Sequence, residues 1–484
     1  MMSPEVKQFI AQLQQYQQQQ PQAIALQDQT QQVNYATLLQ EVFDRQRKLE
    51  QAQVGTVALY LENSVDFMLW DLALLLADIP SILLPPFFSA SQLQYCLDIS
   101  QADTVIAPAD FFLFEAENVF IHAGEFWKRQ TCSSVELPEG TQKLTFTSGT
   151  TGQPKAVCLS SGQILRVAKA LSEAITPNDP QHHLAIMPLA VLLENIGCYA
   201  ILLRGGSVEL APAAVLGLQG ASGLNLAQFS RYLQQSKPHS LILVPQILSA
   251  LVQAIHNNTL NPQDFRFVAV GGGHVNPELL AQAKACGLPV FEGYGLSECA
   301  SVVALNTLQQ SKAGSVGKPL PHVQVKIAED GEILVAGNRC LGYLNAENQP
   351  DAYWPTGDLG HFDQEGYLYI HGRKKHQFIT SFGRNVNPEW VESLLSQTGV
   401  IAQAFVYGEA LPENYALLWP VKANATDQEI AQVVERANAQ LPDYAQIKHW
   451  IRLAEPFSPH NQLATSNGRL KREAIVQRFQ HNFI

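Results

Sequence analysis

The sequence predicts an α/β protein with a large N-terminal domain of parallel α/β sheets and a β-rich subdomain, followed by a small α+β C-terminal domain. Short apolar segments alternate with helical patterns over residues 57–107 and again over 240–292. Such alternation builds parallel sheets with helices on their faces. Two short strand-like segments meet at Asp330-Gly331, which predicts a hairpin and therefore antiparallel structure in that region.

The first alternation follows a helix that apolar residues at helical spacing predict over residues 5–20. The predicted strands are 57–61, 81–84 and 104–107, and the predicted helices are 65–76 and 90–98. The apolar stretch 67–84 contains Asp71, Asp78 and Pro80. Each aspartate would cost about 3 kcal/mol near the centre of a bilayer. We therefore expect a buried helix and a buried strand here, and no transmembrane segment.

The second alternation places polar and glycine-rich segments after consecutive strands, which are predicted over 240–244, 267–270 and 289–292. A helix is predicted to begin at Pro245, and another begins at the cap Asn276-Pro277-Glu278 and ends at Gly287. Gly271-Gly272-Gly273 follows the second of these strands, and Gly293-Tyr294-Gly295-Leu296-Ser297-Glu298 follows the third. Open parallel sheets bind ligands at the carboxyl ends of their strands. The sequence therefore predicts a ligand site at this edge.

A domain boundary is predicted at Gly372-Arg373-Lys374-Lys375, giving domains of 1–372 and 373–484. The balance of charge changes there from acidic to slightly basic. Before the boundary, strands are predicted over 323–327, 332–336 and 367–370. After it, the predicted helices follow Asn387-Pro388-Glu389 and span 428–441 and 471–479, and the predicted strands are 402–407 and 415–421.

Composition narrows the class of protein. The 484 residues are 46% apolar and 15% charged, which suits an ordinary enzyme with a large core. A net charge of −12 argues against a nucleic-acid partner. The seven scattered cysteines lack C-x-x-C spacing and indicate reduced thiols, without a zinc site or a disulfide framework. No basic region precedes an apolar one at the start, so we expect no cleavable signal and a cytoplasmic location.

The densest cluster of functional residue types is Thr147-Ser148-Gly149-Thr150-Thr151-Gly152-Gln153-Pro154-Lys155. Its glycines allow bends that let successive backbone N–H groups converge on an anion, and its hydroxyls and lysine add donors and charge. The ordinary P-loop ending Gly-Lys-Ser/Thr is absent, and β-prone residues follow Lys155. The run therefore predicts a phosphate loop between two strands, with a polar surface turn as the alternative.

This run resembles the phosphate loop of the adenylate-forming superfamily, which includes acyl-CoA synthetases, adenylation domains of peptide synthetases and luciferases. Further motifs follow in the order of that family over nearly the whole chain. The resemblance is closest to the AMP-forming, acyl-CoA synthetase-like ligases. It implies a large domain and a small mobile domain that rotates between two catalytic poses.

The resemblance also implies roles for individual residues. Tyr294 would stack on adenine, Ser297 would meet the α-phosphate and Glu298 would hold Mg²⁺. Asp358 would accept both ribose hydroxyls, as a carboxylate can. Arg373 would contact the ribose, and Lys375 would be the hinge, with Lys374 and His376 as solvated neighbours. The remaining residues implied to bind the nucleotide are Thr147, Ser148, Gly149, Thr150, Thr151, Gly152, Gly271, Gly272, Gly273 and Gly295, with Lys155 as a catalytic cation.

One position departs from the family. Its catalytic lysine usually follows a glycine near the C-terminus, whereas this chain has Asn467-Gly468-Arg469-Leu470-Lys471. Arginine can clamp carboxylate and phosphate oxygens, but it does not replace lysine conservatively. The catalytic cation is therefore expected to be Arg469, or Lys471 two residues later. The segment 381–385 resembles the loop that lines the thiol tunnel in the second pose.

The implied reaction uses ATP and Mg²⁺. A substrate carboxylate forms an acyl-adenylate, and CoA or the phosphopantetheine of an acyl or peptidyl carrier protein then accepts the acyl group. Residues 187–203 are apolar and resemble the long-chain acyl branch, in which a histidine often occupies the place of Val191. They favour a medium- or long-chain fatty acid or an aryl acid, in a pocket between 187–203, 271–275 and 294–302. Glu194 in this stretch is predicted to be a buried, paired carboxylate or a partly exposed one.

Two other classes remain open. The chain could be a nucleotide- or acyl-binding protein with weak or lost turnover, because arginine replaces the usual lysine. It could also be a phosphotransferase of the P-loop type, although that motif is absent. Release of pyrophosphate with ATP and an acid would identify the ligase, and release of ADP would identify the phosphotransferase.

Overall fold

The computed structural model describes residues 2–108, 120–130, 135–147, 155–219, 223–273, 275, 277–346, 352–381, 385–465 and 468–483. Twelve α-helices lie in this described part of the chain. They are α1 (Pro4–Gln19), α2 (Tyr35–Gln51), α3 (Val65–Ala77), α4 (Ala90–Ser100), α5 (Ser161–Ala174), α6 (Leu192–Leu202), α7 (Leu226–Ser236), α8 (Pro245–His256), α9 (Pro277–Ala285), α10 (Pro388–Ser396), α11 (Asp427–Asn438) and α12 (Arg472–Phe479).

The strands of the first half are short, as is usual for buried parallel sheets. They are β1 (Ile24–Gln27), β2 (Gln32–Asn34), β3 (Val57–Leu59), β4 (Ser81–Leu83), β5 (Thr104–Ile106), β6 (Phe120–Ala123), β7 (Phe126–Arg129), β8 (Lys143–Thr147), β9 (Lys155–Leu159), β10 (His182–Ala185), β11 (Ser207–Leu210), β12 (Leu218–Gln219), β13 (Gly223–Leu224) and β14 (Ser240–Leu243).

The strands of the second half include the longest in the described part of the chain. They are β15 (Phe267–Val270), β16 (Val290–Leu296), β17 (Ser301–Leu305), β18 (Lys318–Pro319), β19 (Gln324–Ile327), β20 (Glu332–Ala336), β21 (Gly342–Tyr343), β22 (Trp354–Phe362), β23 (Leu368–Arg373), β24 (Phe378–Ile379), β25 (Asn385–Val386), β26 (Ile401–Tyr407), β27 (Asn414–Pro420) and β28 (Ile447–Arg452).

Two large sheets organise the N-terminal domain. One has the order β18-β17-β16-β15-β14-β10-β11-β1-β2, and its strands from β16 to β1 run parallel. The other has the order β21-β9-β8-β4-β3-β5-β7-β6, with β8, β4, β3 and β5 parallel. The main core lies between them and includes α1, α2, α3, α5 and α6. Helices α7, α8 and α9 cover the other face of the first sheet.

The β-rich subdomain is the antiparallel sheet β19-β20-β22-β23. The small C-terminal domain has the sheet β26-β27-β28, with α10 and α11 on one face and α12 on the other. The fold class predicted from the sequence is confirmed. The boundary after residue 372 stays a prediction. No helix in the described residues is long and apolar enough to cross a membrane.

Local chemistry explains most of the boundaries between elements. Ser160 caps α5 and exchanges hydrogen bonds with Gln163, so the first turn is satisfied at both ends of this capping box. Helix α6 begins at Leu192, after a turn in which the carbonyl of Pro188 accepts the Val191 N–H. The strand predicted to end at residue 292 continues to Leu296 as an antiparallel partner of β17.

Candidate active site

The predicted phosphate loop connects two antiparallel strands. Thr147 at the end of β8 pairs with Lys155 at the start of β9, and the side chain of Lys155 is exposed. The predicted loop residues Ser148, Gly149, Thr150, Thr151 and Gly152 lie outside the described residues. Both ends of the loop therefore occupy the places that the sequence predicts.

A buried ionic network holds the strand that leads into this loop. Lys143 Nζ on β8 lies 2.8 Å from Asp71 Oδ1 on α3, and both side chains are fully buried. It also donates to Asn195 Oδ1 at 2.7 Å and to Tyr199 OH at 3.0 Å, both on α6. Asn195 and Tyr199 in turn donate to Asp71 Oδ2. Because every charge has a partner, the network can fix β8 against two helices without leaving an unpaired buried ion.

The lysine and the carboxylate predicted to act on the phosphates share one neighbour. Tyr343 OH donates to Glu298 Oε1 at 2.7 Å, and Lys155 Nζ lies 5.4 Å from the centroid of the Tyr343 ring. Burial raises the pKa of the Tyr343 phenol, and the charge of Glu298 raises it further, so the hydroxyl stays protonated and can donate. No sequence motif marked Tyr343, since its contacts depend on the pairing of β21 with β9.

A second cluster surrounds the carboxylate predicted to bind ribose. Asp358 on β22 is buried, and its Oδ2 accepts from Tyr294 OH at 2.6 Å. Arg373 Nε lies 2.7 Å from its Oδ1, and Arg373 Nη1 donates to Thr356 O at 3.3 Å. Burial raises the pKa of Asp358, and the positive charges of Arg373 and Arg469 oppose that shift. The structure therefore brings together Tyr294, Asp358 and Arg373, which the sequence placed in one site.

Glycines occupy positions where the backbone leaves no room for a side chain. A Cβ on Gly295 would lie 1.5 Å from Ser301 O, at the irregularity between β16 and β17. Gly272 has φ of +74°, in the left-handed region that favours glycine. Ser297 and Glu298 follow β16 in a 3₁₀ turn, Ser297–Cys299. The predicted phosphate-binding Ser297 and the predicted metal-binding Glu298 therefore lie in one turn, close to Tyr294 in the chain.

The C-terminal domain contributes a cation to this edge. Arg469 Nη2 donates to Gly272 O at 3.3 Å, and a Cβ on Gly468 would lie 3.8 Å from Gln246 Nε2 at the start of α8. Lys471 is exposed at the N-cap of α12, and its backbone N–H bonds Leu463 O at 2.9 Å. Arg469 and Lys471 were the two candidates for the catalytic cation, and Arg469 is the one that contacts the glycine-rich strand end.

The predicted hinge, Lys375, lies in the 3₁₀ turn Lys374–His376. Burial and the charges of Arg373 and Arg469 lower the pKa of Lys375. Its neighbours are paired: Lys374 Nζ lies 2.6 Å from Asp330 Oδ2 and 2.8 Å from Glu332 Oε2, and His376 Nδ1 lies 2.6 Å from Glu389 Oε1. The prediction that Lys374 and His376 are only solvated is therefore incomplete. In the segment 381–385, residues 382–384 lie outside the described residues.

Family comparison agrees with this geometry. The sequence profile of the family described as "AMP-binding enzyme" matches residues 13–345, and that of the "AMP-binding enzyme C-terminal domain" matches residues 375–483. The chain belongs to the AMP-binding enzyme family. The resemblance and the enzyme class predicted from the sequence are confirmed. The roles of individual residues remain predictions.

Known AMP-binding enzymes resemble the chain over most of its length. It is 28% identical over 462 residues to the 2-succinylbenzoate–CoA ligase of Enterococcus faecalis, covering 88% of this chain and 89% of that protein. O-succinylbenzoate coenzyme A synthetase (MenE) of Bacillus subtilis in complex with ATP and magnesium ion has a TM-score of 0.74 and 24% identity over 96% of this chain and 98% of that one. The anthranilate CoA ligase AuaEII in complex with anthranoyl-AMP has a TM-score of 0.80 and 16% identity over 97% of this chain and 96% of that one.

In this AMP-binding enzyme the apolar stretch predicted to line the acid pocket is mostly core. Glu194 is fully buried, and its Oε1 lies 2.7 Å from His183 Nε2 while its Oε2 accepts the Met187 N–H at 3.0 Å. The buried, paired alternative is therefore the observed one. At Gly197 a Cβ would lie 2.3 Å from Ile242 Cδ1, so α6 packs tightly on the sheet. Burial in the core accounts for the apolar composition of α6. This composition is therefore weaker support for a fatty substrate than the sequence suggested.

Proposed function

We propose that the chain is an AMP-forming acid–thiol ligase. In the first step a carboxylate oxygen of the acid attacks the α-phosphorus of ATP, and the bond from that phosphorus to the bridging oxygen breaks. Pyrophosphate leaves with the electron pair, and an acyl-adenylate remains. In the second step a thiolate sulfur attacks the acyl carbon, the carbon–oxygen bond to AMP breaks, and a thioester and AMP result.

One observation carries this proposal. Arg469 of the C-terminal domain donates to Gly272 O of the large domain, and its charge opposes the rise in the pKa of Asp358, which contacts Tyr294 and Arg373. A guanidinium at this place can clamp oxygens of the carboxylate and of the α-phosphate at once. Charge that is fixed where the transition state develops negative charge is the main means of catalysis in such a site.

The other roles follow from the same geometry. Lys155 begins the strand after the phosphate loop, so its ammonium can neutralise the phosphates. Asp358 is an acceptor that can take ribose hydroxyls beside Tyr294 and Arg373. Glu298 fits a magnesium ion, because it offers hard carboxylate oxygens of which one is already oriented by Tyr343. Bound there, Mg²⁺ would neutralise phosphate charge.

The substrate class that we propose is an aryl acid, with a fatty acid as the next candidate. The relatives named for 2-succinylbenzoate and anthranilate act on aryl acids. These relatives are CoA ligases, so CoA is the proposed acceptor ahead of a carrier-protein phosphopantetheine. We also propose a cytoplasmic location, since the six cysteines in the described residues are free thiols. Fractionation of cells that produce the tagged protein tests this location.

The alternative of a binding protein without turnover is not favoured. It arose from the arginine at position 469, yet that arginine contacts the predicted nucleotide edge. Its guanidinium keeps a positive charge at every physiological pH. The P-loop phosphotransferase is also not favoured, because Lys155 lies on a strand that is paired antiparallel to β8.

The deciding experiment measures pyrophosphate release from ATP with a panel of aryl and fatty acids of varied length, and then thioester formation with CoA. We expect release with at least one aryl acid and AMP as the nucleotide product.

Glu298→Gln should abolish adenylate formation while the far-UV circular dichroism stays native, because the amide removes the metal-binding charge. Glu435→Gln, at an exposed carboxylate on α11, is the matched control and should remain active. Release of ADP, or no release with any acid, would refute the proposal.

A further inference from the structure

Tyr343 contacts two residues to which the proposed function gives separate tasks on the phosphates. Its hydroxyl donates to Glu298 Oε1 at 2.7 Å, and its ring lies 5.4 Å from Lys155 Nζ. Glu298 belongs to the turn after β16, whereas Lys155 begins β9, so the two come from different sheets. Tyr343 is therefore the side chain through which the carboxylate and the ammonium are joined.

The position of Tyr343 is fixed by its surroundings. Its residue pairs with Val157 in the antiparallel ladder of β21 and β9. On either side of Tyr343, the backbone N–H groups of Leu341 and Leu344 bond carbonyls of β9 at 2.9 Å. The Trp354 ring packs edge-on against the Tyr343 ring at a centroid distance of 5.6 Å. A tyrosine held on both sides in this way has few rotamers left, so it can orient a neighbour without a large loss of entropy.

We propose that Tyr343 is a positioning residue that orients the Glu298 carboxylate for a divalent cation and sets it at a defined place relative to Lys155. This inference rests on the proposed function. The hydroxyl occupies one lone pair of Oε1, which holds the carboxylate in one orientation and leaves the other lone pair of Oε1 and both of Oε2 for a hard cation. The ring face meanwhile attracts the Lys155 ammonium, at a distance within the range of cation–π contacts.

The first test is Tyr343→Phe, which keeps the ring and removes only the hydroxyl. A hydrogen bond to a charged group is lost, so we expect the Mg²⁺ concentration for half-maximal adenylate formation to rise roughly ten-fold. The KM for ATP at saturating Mg²⁺ should stay unchanged, because Lys155 keeps its contact. The binding of Mn²⁺ in the presence of ATP should weaken as well. Electron paramagnetic resonance measures this binding without acid, so the readout does not depend on turnover.

The second test separates the two contacts. Tyr343→Leu removes the ring as well, so the KM for ATP should rise in addition to the requirement for Mg²⁺. Tyr367→Phe is the matched control, since Tyr367 is a buried tyrosine whose ring also lies under lysines, with Lys318 Nζ at 4.8 Å. It should leave both values at the wild-type level. In a Glu298→Gln background, Tyr343→Phe should have no further effect on Mn²⁺ binding.

Three results would overturn the inference. The first is Tyr343→Phe with wild-type dependence on Mg²⁺ and wild-type binding of Mn²⁺. The second is a fall in kcat that is the same at every Mg²⁺ concentration, as a purely structural role would give. The third is loss of the native circular dichroism in Tyr343→Phe, which would make Tyr343 a folding residue. Failure of the proposed function is distinct, because the wild-type chain itself would then release no pyrophosphate.

Discussion

At the scale of single residues, Asp358 on β22 shows how two other strands supply partners for one carboxylate. Tyr294 on β16 donates to Oδ2, Arg373 on β23 pairs with Oδ1, and Thr356 Oγ1 accepts the backbone N–H of Asp358 at 3.1 Å. Each carboxylate oxygen has a second lone pair, so a ribose hydroxyl can still bind. The bonds from Tyr294 and Arg373 restrict the carboxylate to one orientation, which is the condition for recognising two hydroxyls at once.

The prediction at this scale concerns Tyr294→Phe. The ring for adenine stacking remains, but Asp358 loses a donor, so kcat/KM for ATP should fall roughly ten-fold. The preference for ATP over 2′-deoxy-ATP should shrink, because a less constrained carboxylate discriminates less between the two sugars. The measurement is kcat/KM for both nucleotides. Tyr369→Phe is the control, since Tyr369 OH also bonds an aspartate, Asp363, at 3.4 Å outside the site. An unchanged preference in Tyr294→Phe would contradict the assignment.

The residues of the site divide by whether a family motif marks them in the sequence. Arg373 and Asp358 carry motif signals of their own, and the prediction that they share a site agrees with their ion pair. Tyr343 carries none, and its contact with Glu298 is created by the place of β21 beside β9. Sequence patterns report local propensity and family motifs, whereas such a contact is created only by the fold.

At the scale of elements, the helix and strand patterns of the two alternations were predicted well. The strand Val57–Leu59, the helix Val65–Ala77 and the helix Ala90–Ser100 lie within three residues of their expected bounds. Helix Tyr35–Gln51 and the strands β1 and β2 were not predicted. The sequence of that helix is strongly polar, and only its buried side, with Leu38, Val42 and Leu49, packs on the core. Tertiary packing decides such an element.

The prediction at this scale concerns the network around Lys143, which joins β8 to α3 and α6. Lys143→Met leaves Asp71 without its cation in the core, so the free energy of unfolding should fall by about 3–5 kcal/mol. The measurement is urea denaturation followed by circular dichroism and tryptophan fluorescence. Lys169→Met is the control, because the pair Lys169–Glu173 is exposed with 4.0 Å between its charges and is expected to contribute about 0–1 kcal/mol.

A double variant shows whether charge is the cause. Lys143→Met with Asp71→Leu removes both ions, so most of the lost stability should return, as it does when buried pairs are replaced by apolar groups. A double variant as unstable as Lys143→Met would show that packing volume matters instead. Lys143 begins the strand Lys143–Thr147, and its partner Asp71 is 72 positions away. This separation explains why the sequence did not reveal the network.

At the scale of the whole molecule, the two domains meet through contacts that one relative orientation allows. Arg469 Nη2 reaches Gly272 O, and Asn387 Nδ2 donates to His371 O at 2.7 Å. Within the predicted small domain, Glu389 Oε2 accepts the Arg373 N–H at 2.6 Å, beside the predicted hinge at Lys375. If the small domain rotates about Lys375, as the resemblance implies, Arg469 must leave Gly272. We therefore assign this arrangement to the adenylate-forming half of the cycle.

This assignment makes the two half-reactions separable. Arg469→Ala removes a positive charge from the place where we propose that the carboxylate meets the α-phosphate, and loss of one such donor typically slows a reaction roughly 10²–10³-fold. Adenylate formation should slow by that amount, measured in single turnover with ATP and the acid. Thioester formation from pre-made acyl-adenylate and CoA should keep its wild-type rate, because the resemblance implies that this step uses the other orientation.

Lys471→Ala is the matched control, two residues away in the same loop. Lys471 is exposed at the N-cap position of α12 and its side chain makes no capping hydrogen bond there, so its loss should change neither half-reaction strongly. Arg469→Lys refines the test, since a shorter, monodentate cation restores charge but not the fork of two donors. It should recover part of the rate of adenylate formation.

An unaffected first half-reaction in Arg469→Ala together with a collapsed one in Lys471→Ala would move the role to Lys471. If neither variant slowed adenylate formation, the small domain would supply no catalytic cation, and the basis for assigning this arrangement to the first half-reaction would be lost.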